Sequence, residues 1–182
     1  MSPRGKAKGS SFERDVARMF DVWWGVPKST FWRTASSGGW NEPGDVTPRH
    51  RGFQEQVWFP FITECKNYKK MDLLGEILKD NKSSKIRAWW KQCFDEQIKA
   101  QMLGYNFSII KKLLIIKLDN CPIYTVYDPI ELSEVEKGIH KYVTIVLPDL
   151  PSAKLVTWED FSTHVTRNSL EIAYREVAEG IR

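Results

Sequence analysis

Cysteine is scarce in this chain and poorly placed for either of its usual structural uses. Cys65, Cys93 and Cys121 are odd in number, far apart and without a C-x-x-C pair. That argues against a zinc site or a disulfide framework and fits a reducing, intracellular setting. Histidine is equally sparse: His50, His140 and His164 show no metal-ligand spacing, so surface or capping roles are expected of them. No uninterrupted apolar run approaches a bilayer span, and the first residues lack the apolar core of a signal peptide. No membrane association is expected, and the cytoplasm is the expected location.

What is present is charge and aromatic surface. Net charge is +4, unevenly spread: residues 1–118 carry 21 Lys and Arg against 12 Asp and Glu, while residues 119–182 carry 6 against 11. A basic part (+9) joined to an acidic one (−5) suggests that the first part meets a polyanion. Eight tryptophans accord with nucleic acid as that polyanion, although most are expected in the core or at its rim. At 182 residues the chain can bury a real core as one main domain.

The stretch Asp45–Lys66 organises the rest. Val57, Trp58, Phe59, Phe61, Ile62 and Thr63 are aromatic or β-branched and read as a strand, interrupted by Pro60. Alternation along that strand puts Glu64 and Lys66 on one face and Cys65 on the other. Pro43-Gly44-Asp45-Val46 places a second acid after a turn, at the start of another extended segment. Two carboxylates converging from neighbouring strands can hold a hard divalent cation such as Mg²⁺. A lysine beside them could orient or deprotonate water, or neutralise charge on a phosphate. The plainer reading of Glu64-x-Lys66 is an ion pair on an edge strand.

Elsewhere the sequence reads as helix, strands, helix, two strands and a tail. Residues 1–9 form a basic arm with nothing to bury. A helix follows, capped by Ser10 or Ser11, with Phe12, Val16, Met19, Phe20 and Trp23 as its apolar stripe. Glu13 sits in its first turn, where an acid also suits the helix dipole. Thr30–Arg33 is a short strand, leading to a small polar loop, Thr34–Gly39, whose backbone could approach a phosphate. A short helix is expected between Met71 and Asn81 and a long one over Ile86–Leu103. Strands are expected at Lys112–Leu118, Ile123–Tyr127 and Tyr142–Leu147, then helices at Trp158–Val165 and Ser169–Glu179. This predicts an α/β domain with a central mixed β-sheet flanked by helices: an arm at 1–9, a core at 10–127 and an acidic extension at 128–182. The extension is expected on the core or at a dimer contact.

The order Lys8-Gly9-Ser10-x-x-Glu13-Arg14, Arg33-x-x-x-Ser37-Gly38, Pro43-x-Asp45 and Glu64-x-Lys66 resembles the archaeal-type Holliday junction resolvases, a branch of the PD-(D/E)xK nuclease superfamily. Trp89 to Phe94 with the strand after it looks like phage-encoded relatives, which would place the protein in a host cytoplasm. Gly44 stands between Pro43 and Asp45, a departure from the signature. The resemblance implies a restriction-endonuclease-like core and a catalytic set of Glu13, Ser37 (or Ser36 in another register), Asp45, Glu64 and Lys66. Mg²⁺, with Mn²⁺ as a substitute, would be held by Glu13, Asp45, Glu64 and the backbone carbonyl of Cys65. Arg4, Lys6, Lys8, Arg14, Arg33, Ser36, Gly38, Lys69, Lys70 and Gln92 are the expected DNA contacts. A homodimer acting on a four-way junction is implied. Two other readings stand beside it: a nuclease of the same fold acting on flaps, ends or duplex, and a non-catalytic DNA-binding module.

Overall fold

The computed structural model describes residues 3–34, 43–49, 57–79, 83–104, 110–147 and 149–178. The first helix, α1 (Pro3–Trp23), begins well before the serines expected to cap it. Segment 3–9 is therefore helical, a correction to the expected unstructured arm; Pro3 heads it, a position where the missing N–H costs nothing. Phe12, Val16 and Phe20, four residues apart, are fully buried and form the inward stripe. The helix stops where Gly25 enters the left-handed region at φ 63°. Asp21, buried near its end, accepts 2.8 Å bonds from the backbone N–H of Ser29 and of Phe31. It thereby ties the helix to the start of β1 (Phe31–Arg33).

β2 (Val46–Pro48), β3 (Phe61–Tyr68), β4 (Lys111–Leu118), β5 (Ile123–Tyr127), β6 (Val143–Ile145) and β7 (Ala153–Thr157) complete one seven-stranded sheet, ordered β1-β2-β3-β4-β5-β7-β6. Only β3 and β4 run parallel. A parallel neighbour needs a crossover, supplied by α2 (Leu73–Leu78) and α3 (Lys85–Met102). Asp72 and Ser84 cap these helices through their side chains. β3 starts only at Phe61, so Val57–Pro60 lies outside the strand expected there; Pro60 cannot donate to a ladder.

β4 is buried on both faces and divides the core. Leu113 and Ile115 join Phe12, Val16, Phe20 and Cys65 on the α1 side. Leu114, Ile116 and Leu118 join Trp89, Trp90 and Cys93 on the α3 side. β7, which the sequence reading missed, lies between β5 and β6. α4 (Trp158–His164) and α5 (Arg167–Ala178) follow, and Phe161, Val165 and Leu170 pack fully buried in the α1-side cluster. The acidic extension thus adds two strands to the same sheet and walls to the same core. Trp23, Trp24, Trp58 and Trp158 also belong to that cluster. Trp23 donates from Nε1 to the Val165 carbonyl (2.8 Å) and Trp24 to that of Trp58 (3.0 Å).

Candidate active site

β2 meets β3 through the single pair Val46↔Thr63, and the Asp45 N–H donates to the Thr63 carbonyl at 2.7 Å. One step further along β3 the strand partner ends, and the Asp45 carboxylate takes over: Oδ2 accepts from the Cys65 N–H at 2.8 Å. In a strand a residue's N–H and C=O leave along the same edge, so the Cys65 carbonyl faces the Asp45 side too. The Cys65 side chain turns into the α1-side core. Glu64 and Lys66 turn to the α3 side, where Lys66 Nζ donates to both Glu64 Oε1 and Gln92 Oε1, the latter at 2.9 Å.

Gly44 explains the departure from a simple Pro-Asp step. Its φ is 80°, and a Cβ there would stand 2.9 Å from the Thr63 carbonyl oxygen and 3.0 Å from the Thr63 nitrogen. Only glycine lets the chain turn into β2 this close to β3. The Gly44 carbonyl accepts from Thr34 Oγ1 at 2.7 Å, and the Thr34 N–H donates to the Asp45 carbonyl at 2.9 Å. Thr34 and Gly44, which flank positions 35–42, are therefore held together beside Asp45. Ser36, Ser37 and Gly38, read as loop contacts, lie in that segment, outside the described residues.

The carboxyls are deeply placed: Asp45 is 6% exposed and Glu64 3%. Burial pushes Asp45 up from its ordinary value against the pull of the Cys65 N–H, and the Glu13 charge adds to the rise. Burial, and then the Asp45 charge, push Glu64 up to about 8 against the pull of Lys66. The two carboxyls lie within hydrogen-bonding reach of each other, so one proton between them relieves the repulsion. Burial works against the Lys66 ammonium, but the neighbouring Glu64 carboxylate more than offsets it and Lys66 stands above its ordinary value. In the free protein Lys66 Nζ is engaged as a donor to Glu64 and Gln92.

Glu13 reaches toward Asp45 from α1, but its carboxylate is paired with Arg33 Nε. Gly9, one turn before it, leaves that carboxylate uncrowded; even a Cβ there would lie 3.7 Å from Oε1. Among the described residues no three His, Cys, Asp or Glu side chains are grouped as a ready metal cage. Asp45 and Glu64 form a close pair, while Glu13, expected to complete the metal set, acts on Asp45 through its charge and is paired with Arg33. The pair still fits a hard cation. Two buried oxygen donors need positive charge between them, here a proton, and the Cys65 carbonyl faces the same side.

A family model described as "Phage putative PDDEXK endonuclease" matches residues 4–169. The chain belongs to this family. Its seven-stranded mixed sheet flanked by helices agrees with a PD-(D/E)xK core, and the activity class that goes with the family is that of a nuclease. No curated protein and no solved structure matches the chain.

Within this PD-(D/E)xK frame two expected DNA contacts are engaged internally: Arg33 with Glu13, and Gln92 with Lys66. Arg14, Lys69 and Lys70 are exposed; the side chains of Arg4, Lys6 and Lys8 lie outside the described residues. Sequence reasoning missed Thr34 and Glu96. Thr34 carried no signal. Glu96 did: it stands on the row Trp89, Cys93, Glu96, Ala100, an otherwise apolar stripe at helical spacing that is buried throughout.

Proposed function

We propose that this protein is a Mg²⁺-dependent endodeoxyribonuclease that resolves four-way DNA junctions by paired symmetric nicks. The observation that carries the nuclease reading is the buried Asp45–Glu64 pair with the Lys66 ammonium against it. The junction preference rests on the resemblance of residues 8–66, supported by Glu13 lying near enough to Asp45 to raise it. Asp45, Glu64 and the Cys65 carbonyl would hold the metal, with Glu13 at the rim. Bound there, Mg²⁺ (or Mn²⁺) would lower the pKa of a water and stabilise charge on the phosphate. Lys66, fixed by Gln92, offers a charged donor to the attacking water or a phosphate oxygen. Arg33 keeps positive charge beside Glu13, and Ser37 or Ser36, which follow Thr34 in the chain, would meet the scissile phosphate.

Exposed Lys69 and Lys70, just past the end of β3, would contact phosphates, giving recognition by shape and charge with little base readout. Two nicks in strands of like polarity call for two sites related by a twofold axis, hence a homodimer. The location consistent with buried free thiols at Cys65 and Cys93 is the cytoplasm. The test is cleavage of a labelled four-way junction in Mg²⁺ beside a linear duplex and a flap of matched length, with Glu64→Gln and EDTA as controls. Symmetric nicks in the junction alone, lost in both controls, are expected. Cutting of the flap or duplex instead would move the substrate while keeping the chemistry. Binding without cutting in Mg²⁺ or Mn²⁺ would reduce the protein to a DNA-binding module.

A further inference from the structure

α3 touches the site twice, one helical turn apart. Gln92 accepts from Lys66 Nζ at 2.9 Å, and Glu96 Oε2 accepts from the Gly44 N–H at 3.3 Å. Glu96 is 9% exposed, and its other oxygen, Oε1, pairs with Lys99 Nζ at 3.0 Å. An acid on a buried stripe needs a reason to be there. The Lys99 pair satisfies its charge, and a bond to Gly44 gives the second oxygen its own task. Gly44 has few other ways to be held. It carries no side chain, cannot accept one, and its carbonyl is already taken by Thr34. Its N–H is the remaining handle on the peptide immediately before Asp45.

We propose that Glu96 is a positioning residue for Asp45. Through the Gly44 N–H it sets the turn from which the Asp45 carboxylate reaches the Cys65 N–H, and it does so from the same helix face that fixes Lys66. The distance between acid and ammonium is thereby referred to one rigid element. The proposal rests on the nuclease reading above. Removing a group that orients a ligand typically costs about 10–100-fold in metal affinity or activity, so Glu96→Ala should lose at least about tenfold in Mn²⁺ affinity and in single-turnover cleavage.

The experiment compares wild type, Glu96→Ala, Glu96→Gln and Lys99→Ala in the full chain. Mn²⁺ binding is followed by calorimetry, single-turnover cutting by gel, and amide exchange at Gly44 and Leu114 by NMR. Glu96→Ala should exchange faster at Gly44, bind Mn²⁺ more weakly and cut more slowly. Unchanged exchange at Leu114 would show the sheet intact. Glu96→Gln keeps an oxygen for the Gly44 N–H and should recover most of the loss. Lys99→Ala, which takes away the ion pair at Oε1 and leaves Oε2 to accept from the Gly44 N–H, should keep Gly44 exchange at the wild-type rate. Equal losses in Glu96→Ala and Glu96→Gln would overturn the proposal, because charge and not the Gly44 bond would then matter. A wild type that binds and cuts while Glu96→Ala does both equally well would also overturn it, leaving the nuclease reading intact. A wild type that neither binds Mn²⁺ nor cuts would overturn that reading and this proposal together.

Discussion

Glu64 holds its proton past neutrality because water is excluded from it and Asp45 stands beside it. Both causes vanish on unfolding, where the carboxyl returns to its ordinary value of 4.5 from about 8. The folded state therefore binds this proton more tightly. The stability that follows is complete below pH 4.5 and is lost as pH rises toward 8. Thermal melts in EDTA should show the wild type falling relative to Glu64→Gln over that window; parallel curves would contradict the shared proton. Glutamine also keeps the shape, drops the charge and can donate to Asp45. At pH 8 Glu64→Gln should melt about 2–4 °C higher, the shift that roughly 1 kcal/mol gives a domain of this size, while cutting falls by at least about 10². Function would then be what keeps the acid at a stability cost.

The elements that carry the site differ in how plainly the sequence announces them. Alternation along β3 separates Glu64 and Lys66 from Cys65 because side chains on a strand have no other choice. β4 is equally legible, an apolar run buried on both faces. The turn before Asp45 is not legible, since the need for glycine at position 44 arises from the Thr63 backbone, nineteen positions further along the chain. Arg33 was read as a phosphate contact for a similar reason: a surface arginine and one paired with Glu13 look alike until α1 and β1 are packed. Asp21, which ties α1 to the start of β1, enters no sequence expectation, because its backbone partners at Ser29 and Phe31 are set only once the two elements meet. Gly44→Ala tests the element directly. It combines a positive φ with a 2.9 Å contact to backbone, and each such strain costs of order 1–3 kcal/mol. Urea denaturation should show a loss in that range or above, and cleavage should drop with it. Wild-type stability would mean the β2–β3 turn is less tightly seated than described.

The molecule as a whole is closed by its last elements. β7 entered no sequence expectation because Ala-Lys-Leu-Val-Thr (153–157) is short, follows a proline-bearing turn and offers little alternation. Its place is decided by the unfilled edge of β5, a fact of the assembled sheet. Phe161 is fully buried against Tyr127, Phe61 and Trp23. Phe161→Ala should cost about 3–5 kcal/mol, read from urea midpoints. Ending the chain at residue 128 should give an insoluble product, because β5 would present an open edge and α1 a bare apolar face; a soluble, folded truncation would show that the first 128 residues form a domain by themselves.

That closure has a consequence for how the protein is made. Every side chain proposed to touch the metal or the phosphate is encoded by position 92, yet α1, which carries Glu13, ends in Trp23, whose ring meets Phe161 and whose Nε1 donates to the Val165 carbonyl. Domains fold as units during synthesis, N-terminal parts first. A ribosome that has delivered every residue of the proposed site therefore still holds an unfinished domain, and the fold that would support cleavage closes only with the acidic segment that finishes the sheet.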